Sequence, residues 1–181
     1  MSMKFVSTLL VKAVLAVALV AAVAVMGALA AESNKTMLKA DPLTGYQEAT
    51  PAGVSTVATG SFEATIDEVA QTIDYTLSYS GLEAAVLFAH IHFGNRFTSG
   101  GVSAFLCGGG SKPACPQEGV VTGTVTSADV IGPASQGIAP GEFGELVRAM
   151  RAGITYVNVH STMFPAGEIR GQINDANQRQ P

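Results

Sequence analysis

The strongest constraint on the fold is a strict alternation of apolar and polar side chains between residues 62 and 79. Phe62, Ala64 and Ile66 alternate with polar residues, and so do the apolar residues from Ile73 to Tyr79. A period of two is typical of strands that are buried on one face. The Asp67–Gln71 segment between these runs predicts a hairpin connection.

The same pattern predicts further strands, at Val86–Phe93, Val102–Leu106, Val120–Thr126, Thr155–Ser161 and Ile169–Ile173. Low charge and frequent glycine also favour strands joined by tight turns. We therefore predict an all-β fold, an antiparallel and Greek-key-like two-layer sandwich of about seven to nine strands.

Two segments depart from the strand pattern. Glu142–Ala152 predicts one short amphipathic helix, because its apolar residues recur at helical spacing in a single stripe: Phe143, Leu146, Val147 and Met150. Ser127–Ile131 predicts one helical turn, with Ser127 as its N-cap.

The first 30 residues have the composition of a secretory signal. Lys4 and Lys12 precede 19 residues without a polar side chain, Ala13–Ala31, in which Ala28-Leu29-Ala30 suits signal peptidase. We predict a signal peptide at 1–30, a mobile linker at 31–37, one domain at 38–173 and a flexible tail at 174–181. The alternative is an uncleaved anchor, since a bilayer needs ~20 apolar residues, and a membrane is a partner only in that case.

Export fits the charge and the cysteines. Without residues 1–30 the chain has eight basic and 14 acidic residues, a net charge of −6, which excludes the basic surface of a nucleic-acid binder. Cys107 and Cys115 flank a glycine-rich loop, and an exported chain meets an oxidising compartment, so we predict a disulfide between them. The predicted location is secreted, periplasmic or on the cell envelope.

Three predicted strands each place polar side chains on one face, with apolar residues on the other. Because side chains two apart share a face, we expect one polar cluster made of His90, His92, Tyr156, Asn158, His160, Glu168, Arg170 and Gln172.

The sequence resembles the CHRD domain, the module named after chordin and found in many bacterial exported proteins. The resemblance covers residues 38–173 and is carried by Leu43–Glu48, Gly60–Phe62, Tyr75–Leu82, Ala89–His92, Asp129–Pro133, Tyr156–His160, Phe164–Pro165 and Gly167–Gln172. It implies an extracellular, β-rich module with no firmly attached enzymatic activity. We predict an unidentified protein or envelope component as its partner.

Two interpretations of the polar cluster remain open. In the first, the cluster is a hydrogen-bonded lattice without a cofactor, in which Arg170 grips Glu168 or another carboxylate, and the chain is a non-enzymatic binding or structural module. In the second, His90, His92 and His160 bind one transition-metal ion such as Cu or Zn, with Glu168 as a fourth ligand or as a partner that orients a histidine.

Enzymatic readings have little support in the sequence. The strand His-x-His resembles part of a copper–zinc superoxide dismutase site, but the chain has three histidines and lacks the fourth and the bridging one. Ser161 and His160 are neighbours on a strand and point to opposite faces, so they do not form a nucleophile–base pair. We therefore predict that the protein is not an enzyme.

Overall fold

The alternating segments form the strands of one antiparallel sheet. The computed structural model describes residues 35–49 and 52–175. Its strands are β1 (Lys35–Thr44), β2 (Thr59–Asp67), β3 (Thr72–Ser80), β4 (Val86–Phe93), β5 (Gly101–Cys107), β6 (Gly119–Val125), β7 (Thr155–Ser161) and β8 (Ile169–Asp175). The helix α1 spans Phe143–Arg151, and short 3-10 turns cover Gly45–Gln47, Ser127–Asp129 and Ala134–Gln136.

The eight strands are ordered β5-β4-β7-β8-β1-β2-β3-β6 in a single sheet. The sheet folds over, since Tyr75 on β3 donates its hydroxyl hydrogen bond to the carbonyl of Leu106 on β5, at the opposite end of the strand order. The all-β, antiparallel prediction is confirmed, in a form between a sandwich and a barrel in which the two facing layers belong to one continuous sheet.

The alternation of β2 and β3 matches their burial. Phe62 and Ile66 on β2 and Ile73 and Leu77 on β3 are fully buried, while the polar residues between them face outward. The central position predicted for Val86–Phe93 is also confirmed, because β4 lies between β5 and β7.

The helix and its apolar stripe are confirmed as well. The four stripe residues of α1, Phe143, Leu146, Val147 and Met150, are all buried in the main core. The helical turn is a 3-10 turn at Ser127–Asp129, and its N-cap is Thr126 rather than the predicted Ser127. The turn begins there because β6 ends at Val125, and the Asp129 carboxylate accepts hydrogen bonds from the Thr126 N–H and hydroxyl.

The predicted disulfide joins Cys107 at the end of β5 to Cys115. The loop it closes is held against β6 and the 3-10 turn, because Lys112 donates to the Thr124 carbonyl at 2.6 Å and pairs with Asp129 at 2.9 Å. Although burial works to raise it, hydrogen bonds from Thr126, Lys112 and Ser111 lower the pKa of Asp129 to about 2. The disulfide loop is therefore an ordered part of the fold.

The strands reach slightly beyond the predicted domain. β1 begins at Lys35, within the segment predicted as a linker, and β8 ends at Asp175, within the predicted tail. The predicted signal peptide lies outside the described residues, as do 31–34 of the linker and 176–181 of the tail. In the part of the chain that is described, no helix has the length and apolarity that crossing a bilayer requires.

Candidate functional site

The polar cluster lies on the face of β4, β7 and β8 that points away from the core. Strand register brings its residues together in three cross-strand rows: Phe88 beside His160, then His90 beside Asn158 beside Arg170, then His92 beside Tyr156 beside Gln172. All the polar members of these rows are buried. Seven of the eight predicted cluster residues are thus in one place, as the alternation of side chains requires.

The three histidines meet at one end of this patch. One ring nitrogen from each of His90, His92 and His160 lies within 4.8 Å of the other two. The Nδ1 of His90 is 3.1 Å from the Nε2 of His160. Phe88 and Phe105 pack on His90 with ring centroids 4.8 and 4.4 Å away, so aromatic rings enclose the imidazoles.

The histidines are held in the neutral state. Burial lowers the pKa of His90 to about 3 and that of His160 to about 4, and it also lowers the pKa of His92. Each of the three rings therefore carries a lone pair on one nitrogen at neutral pH.

Backbone carbonyls determine which ring nitrogen carries the proton. The Nδ1 of His92 is 3.0 Å from the carbonyl of Gly100, and the Nδ1 of His160 is 3.0 Å from that of Pro165. A carbonyl only accepts, so both Nδ1 atoms are N–H donors and both Nε2 atoms carry the lone pair. The Nε2 atoms of His90 and His92 are buried and have no hydrogen-bond partner among the described residues.

The other end of the patch holds the loop between β4 and β5, residues 94–100. Arg170 donates to the carbonyls of Thr98 at 2.8 Å and Asn95 at 2.9 Å, and its guanidinium carbon lies 3.4 Å from the centroid of the Tyr156 ring. The opposite face of the Tyr156 ring stacks on His92, with centroids 4.7 Å apart and planes 6° apart.

Contacts at both ends of the loop complete the group of side chains that holds it, which we call the loop clamp: His92, Tyr156, Arg170 and Gln172. Gln172 donates to the Gly94 carbonyl at 3.0 Å, and the Tyr156 hydroxyl accepts from the Gly100 N–H at 3.1 Å. A Cβ at position 100 would lie 1.9 Å from the Phe93 carbonyl oxygen, so the close approach of the loop to β4 requires glycine there. His92 is shared, because its Nδ1 serves the loop and its Nε2 faces the histidine group.

Glu168 is the predicted cluster residue that the structure does not bring to the histidines. Its Oε1 accepts from the Thr56 hydroxyl at 3.0 Å and from the Glu83 N–H at 2.9 Å. The expected grip of Arg170 on Glu168 is replaced by the two loop carbonyls. The reason is that Glu168 is engaged by the segments before β2 and β4, which strand alternation does not describe.

Sequence reasoning missed Glu48, a buried carboxyl beside Asn158. Burial raises the pKa of Glu48 to about 8, against the opposing effects of the Arg170 charge and of a hydrogen bond with the Asn158 side chain. Gly167, with a φ of 131°, allows this contact, because a Cβ there would lie 2.6 Å from both the Asn158 Nδ2 and the Glu48 Oε1. Glu48 follows a 3-10 turn, so no periodicity indicated its direction.

Comparison with known proteins gives one finding. The model of the family described as CHRD domain matches residues 40–173. No curated protein and no solved structure has significant similarity to the chain.

Proposed function

Because the chain belongs to the CHRD family, we propose that it is an exported, non-enzymatic module whose three histidines bind one transition-metal ion. Export is supported by the disulfide between Cys107 and Cys115, since such bonds persist in oxidising compartments. The proposed partner is a protein or an envelope component outside the cytoplasm.

The metal proposal rests on one observation, the unused lone pairs of the histidine group. Three neutral imidazoles have ring nitrogens within 4.8 Å of one another, and two buried Nε2 atoms make no hydrogen bond in the described chain. Leaving a buried acceptor without a partner costs about 1–3 kcal/mol, so two such nitrogens in one histidine group favour a ligand that takes up their lone pairs.

The surroundings of the rings suit a metal ion. Metal-bound histidines usually donate their second ring N–H to a carboxylate or a backbone carbonyl, which fixes the ring. His92 and His160 donate in this way to Gly100 and Pro165. Neutral imidazoles bind Cu, Zn, Ni or Fe, and Glu168 is not in this ligand set.

A non-enzymatic role is supported by the state of the nearest nucleophile. The Ser161 hydroxyl accepts from the Phe164 N–H at 3.2 Å and is fully buried. It therefore serves the turn that follows β7, and it is not paired with His160 as a nucleophile with its base.

The second candidate is a purely structural role for the cluster, and the contact between His90 and His160 favours it. If Nδ1–H of His90 donates to Nε2 of His160 at 3.1 Å, that lone pair is already used. The contacts of the loop clamp also stabilise the fold without any metal. A metal ion on the His160 Nε2 would have to replace this hydrogen bond.

Metal analysis of the purified protein separates these two functions. We expect about one equivalent of Cu, Zn, Ni or Fe by elemental analysis after loading and desalting, and its loss in His90→Ala and His160→Ala. Thr155→Val is the matched control, because Thr155 lies on the opposite face of β7 and its buried hydroxyl has no described partner. Wild-type protein that takes up no transition metal would leave the structural role, with losses of about 1–3 kcal/mol of stability in both alanine variants.

Export has its own test. Protein recovered from outside the cytoplasm should begin at Ala31 on N-terminal sequencing, because the predicted cleavage follows Ala30. An N-terminus at residue 1, or recovery only from the cytoplasm, would contradict this part of the proposal.

A further inference from the structure

We propose that the side-chain oxygen of Asn158 is the fourth ligand of the metal ion, and that Glu48 holds the Asn158 amide in the ligating orientation. This inference rests on the proposed metal-binding function. It deepens that function, because it defines the ligand set as three imidazoles and one amide oxygen.

The position of Asn158 places its oxygen among the rings. Asn158 is 2% exposed and lies beside His90 in the cross-strand register. Its Oδ1 is 2.8 Å from the Nε2 of His160, and its side chain also reaches His92. The oxygen therefore lies against a ring nitrogen of the histidine group.

The contact between the His160 Nε2 and the Asn158 Oδ1 lacks a proton to make it a hydrogen bond. A neutral imidazole carries one N–H, and in His160 that N–H is at Nδ1, because Nδ1 faces the Pro165 carbonyl at 3.0 Å. The Nε2 of His160 and the Oδ1 of Asn158 are then two acceptors separated by 2.8 Å. Two facing lone pairs at this distance repel. An N–H at the Nδ1 of His90, 3.1 Å from the same Nε2, would satisfy the ring nitrogen but not the amide oxygen. A positive species beside both atoms removes the repulsion.

A second proton on His160 is a poor candidate for that species. The ring is buried and packs against Phe88 and His90, with ring centroids 4.7 and 4.9 Å away, so an added charge would lie among aromatic rings and out of contact with solvent. A divalent cation removes the repulsion without adding a proton, since it accepts both lone pairs. Imidazole nitrogen with amide oxygen is a neutral ligand set suited to borderline divalent ions such as Zn²⁺ and Cu²⁺.

Glu48 explains why the amide presents its oxygen to the histidines. The Asn158 side chain hydrogen-bonds the Glu48 carboxyl group, and both groups pack against the backbone of Gly167, where no Cβ intrudes. An amide whose Nδ2–H₂ donates to Glu48 must direct its Oδ1 to the other side, which is toward His160.

The test compares metal affinity and Co²⁺ spectra in variants that break and rebuild the pair. We expect Asn158→Leu to weaken Zn²⁺ binding about 10–100-fold by competition with a chromophoric chelator, and to shift the visible bands of the Co²⁺-loaded protein. Glu48→Leu should weaken binding by about tenfold, because the Asn158 amide loses its acceptor. Thr155→Val should match wild type in both measurements.

The double variant E48Q/N158D rebuilds the contact with donor and acceptor exchanged. The amide introduced by E48Q can donate to one oxygen of the carboxylate introduced by N158D, whose other oxygen then faces the histidines as an anionic ligand. We expect binding at least as tight as wild type, with Co²⁺ bands that differ from those of wild type. This variant keeps the inference testable if Asn158→Leu does not fold, since unchanged Co²⁺ bands in it would overturn the inference.

The outcomes distinguish a failure of the proposed metal-binding function from a failure of the Asn158 ligand alone. Wild-type protein that binds no metal overturns the proposed function and this inference together. Wild-type protein that binds metal through the histidines, while Asn158→Leu keeps the same affinity and the same Co²⁺ spectrum, overturns this inference alone. In that event the amide is turned so that its Nδ2 donates to His160.

Discussion

Replacing Arg170 by lysine should release the loop at residues 94–100 while leaving the charge in place. The guanidinium reaches two carbonyls at once, those of Thr98 and Asn95, and it stacks on Tyr156 at 3.4 Å from the ring centroid. A lysine ammonium lacks the planar fork, so it keeps at most one of the two hydrogen bonds and loses the stacked geometry.

The magnitude follows from these lost contacts. A hydrogen bond from a charged donor contributes about 1.5–3 kcal/mol, and a desolvated cation–π contact about 2 kcal/mol. Arg170 is 2% exposed, so solvent does not replace what is lost. Since lysine retains part of both contacts, we expect Arg170→Lys to lower the free energy of unfolding by about 2–4 kcal/mol.

The matched control is Arg148→Lys on α1. Arg148 forms an exposed ion pair with Glu145 one helical turn away, and its side chain is 67% exposed. The same chemical change there should alter stability by less than about 0.5 kcal/mol. Urea unfolding of both variants gives the difference in stability.

Amide hydrogen exchange shows where the effect of Arg170→Lys lies. The Gly100 N–H, which donates to the Tyr156 hydroxyl, should lose protection in Arg170→Lys and keep it in Arg148→Lys. The reasoning is refuted if the two variants unfold within about 0.5 kcal/mol of each other, or if Gly100 exchanges equally slowly in both.

Two further predictions concern titration and the disulfide. In metal-free protein the free energy of unfolding should fall by about 1 kcal/mol between pH 6.5 and 8, because the folded state keeps a proton on Glu48, whose pKa burial raises to about 8, while the unfolded chain has already lost it. In Glu48→Gln the free energy of unfolding should instead rise slightly over this range in urea titrations, because only the histidines of the unfolded chain still release protons. Below pH 6.5 the free energy of unfolding should fall as well, because His90 and His160 take up protons in the unfolded chain but stay neutral when buried in the folded state. A free energy of unfolding that does not fall below pH 6.5 would contradict the burial of the rings. Reduction, or the double change of Cys107 and Cys115 to alanine, should cost roughly 2.5 kcal/mol for the short loop that the disulfide closes, and a urea midpoint insensitive to reductant would contradict it.

The alternation of apolar and polar residues along the strands predicted most of the fold and much of the site. It placed His90 and His92 on one face, and the register of β4 with β7 then set Asn158 and Tyr156 beside them. This works because a half-buried strand has only two faces, and one of them must meet the core.

The remaining features lie where the chain has no period. Glu48 sits after a 3-10 turn, and its burial against Asn158 depends on a long-range contact through Gly167. Glu168 obeys the alternation in sequence, yet its carboxylate is taken by Thr56 and the Glu83 N–H. The loop at residues 94–100 has no periodic pattern in its sequence. The polar face holds this loop mainly through backbone carbonyls, which every residue has, so the sequence does not indicate the contact.

His92 has a consequence that reaches beyond either of its contacts. One nitrogen of its ring anchors the carbonyl of Gly100, and the other is turned to the space between the histidines. A ligand bound in that space would contact the same rigid ring that positions the β4–β5 connection. Binding among the histidines and the order of the loop at residues 94–100 are therefore coupled through His92. A partner that contacts this loop would respond to whether the space between the histidines is occupied.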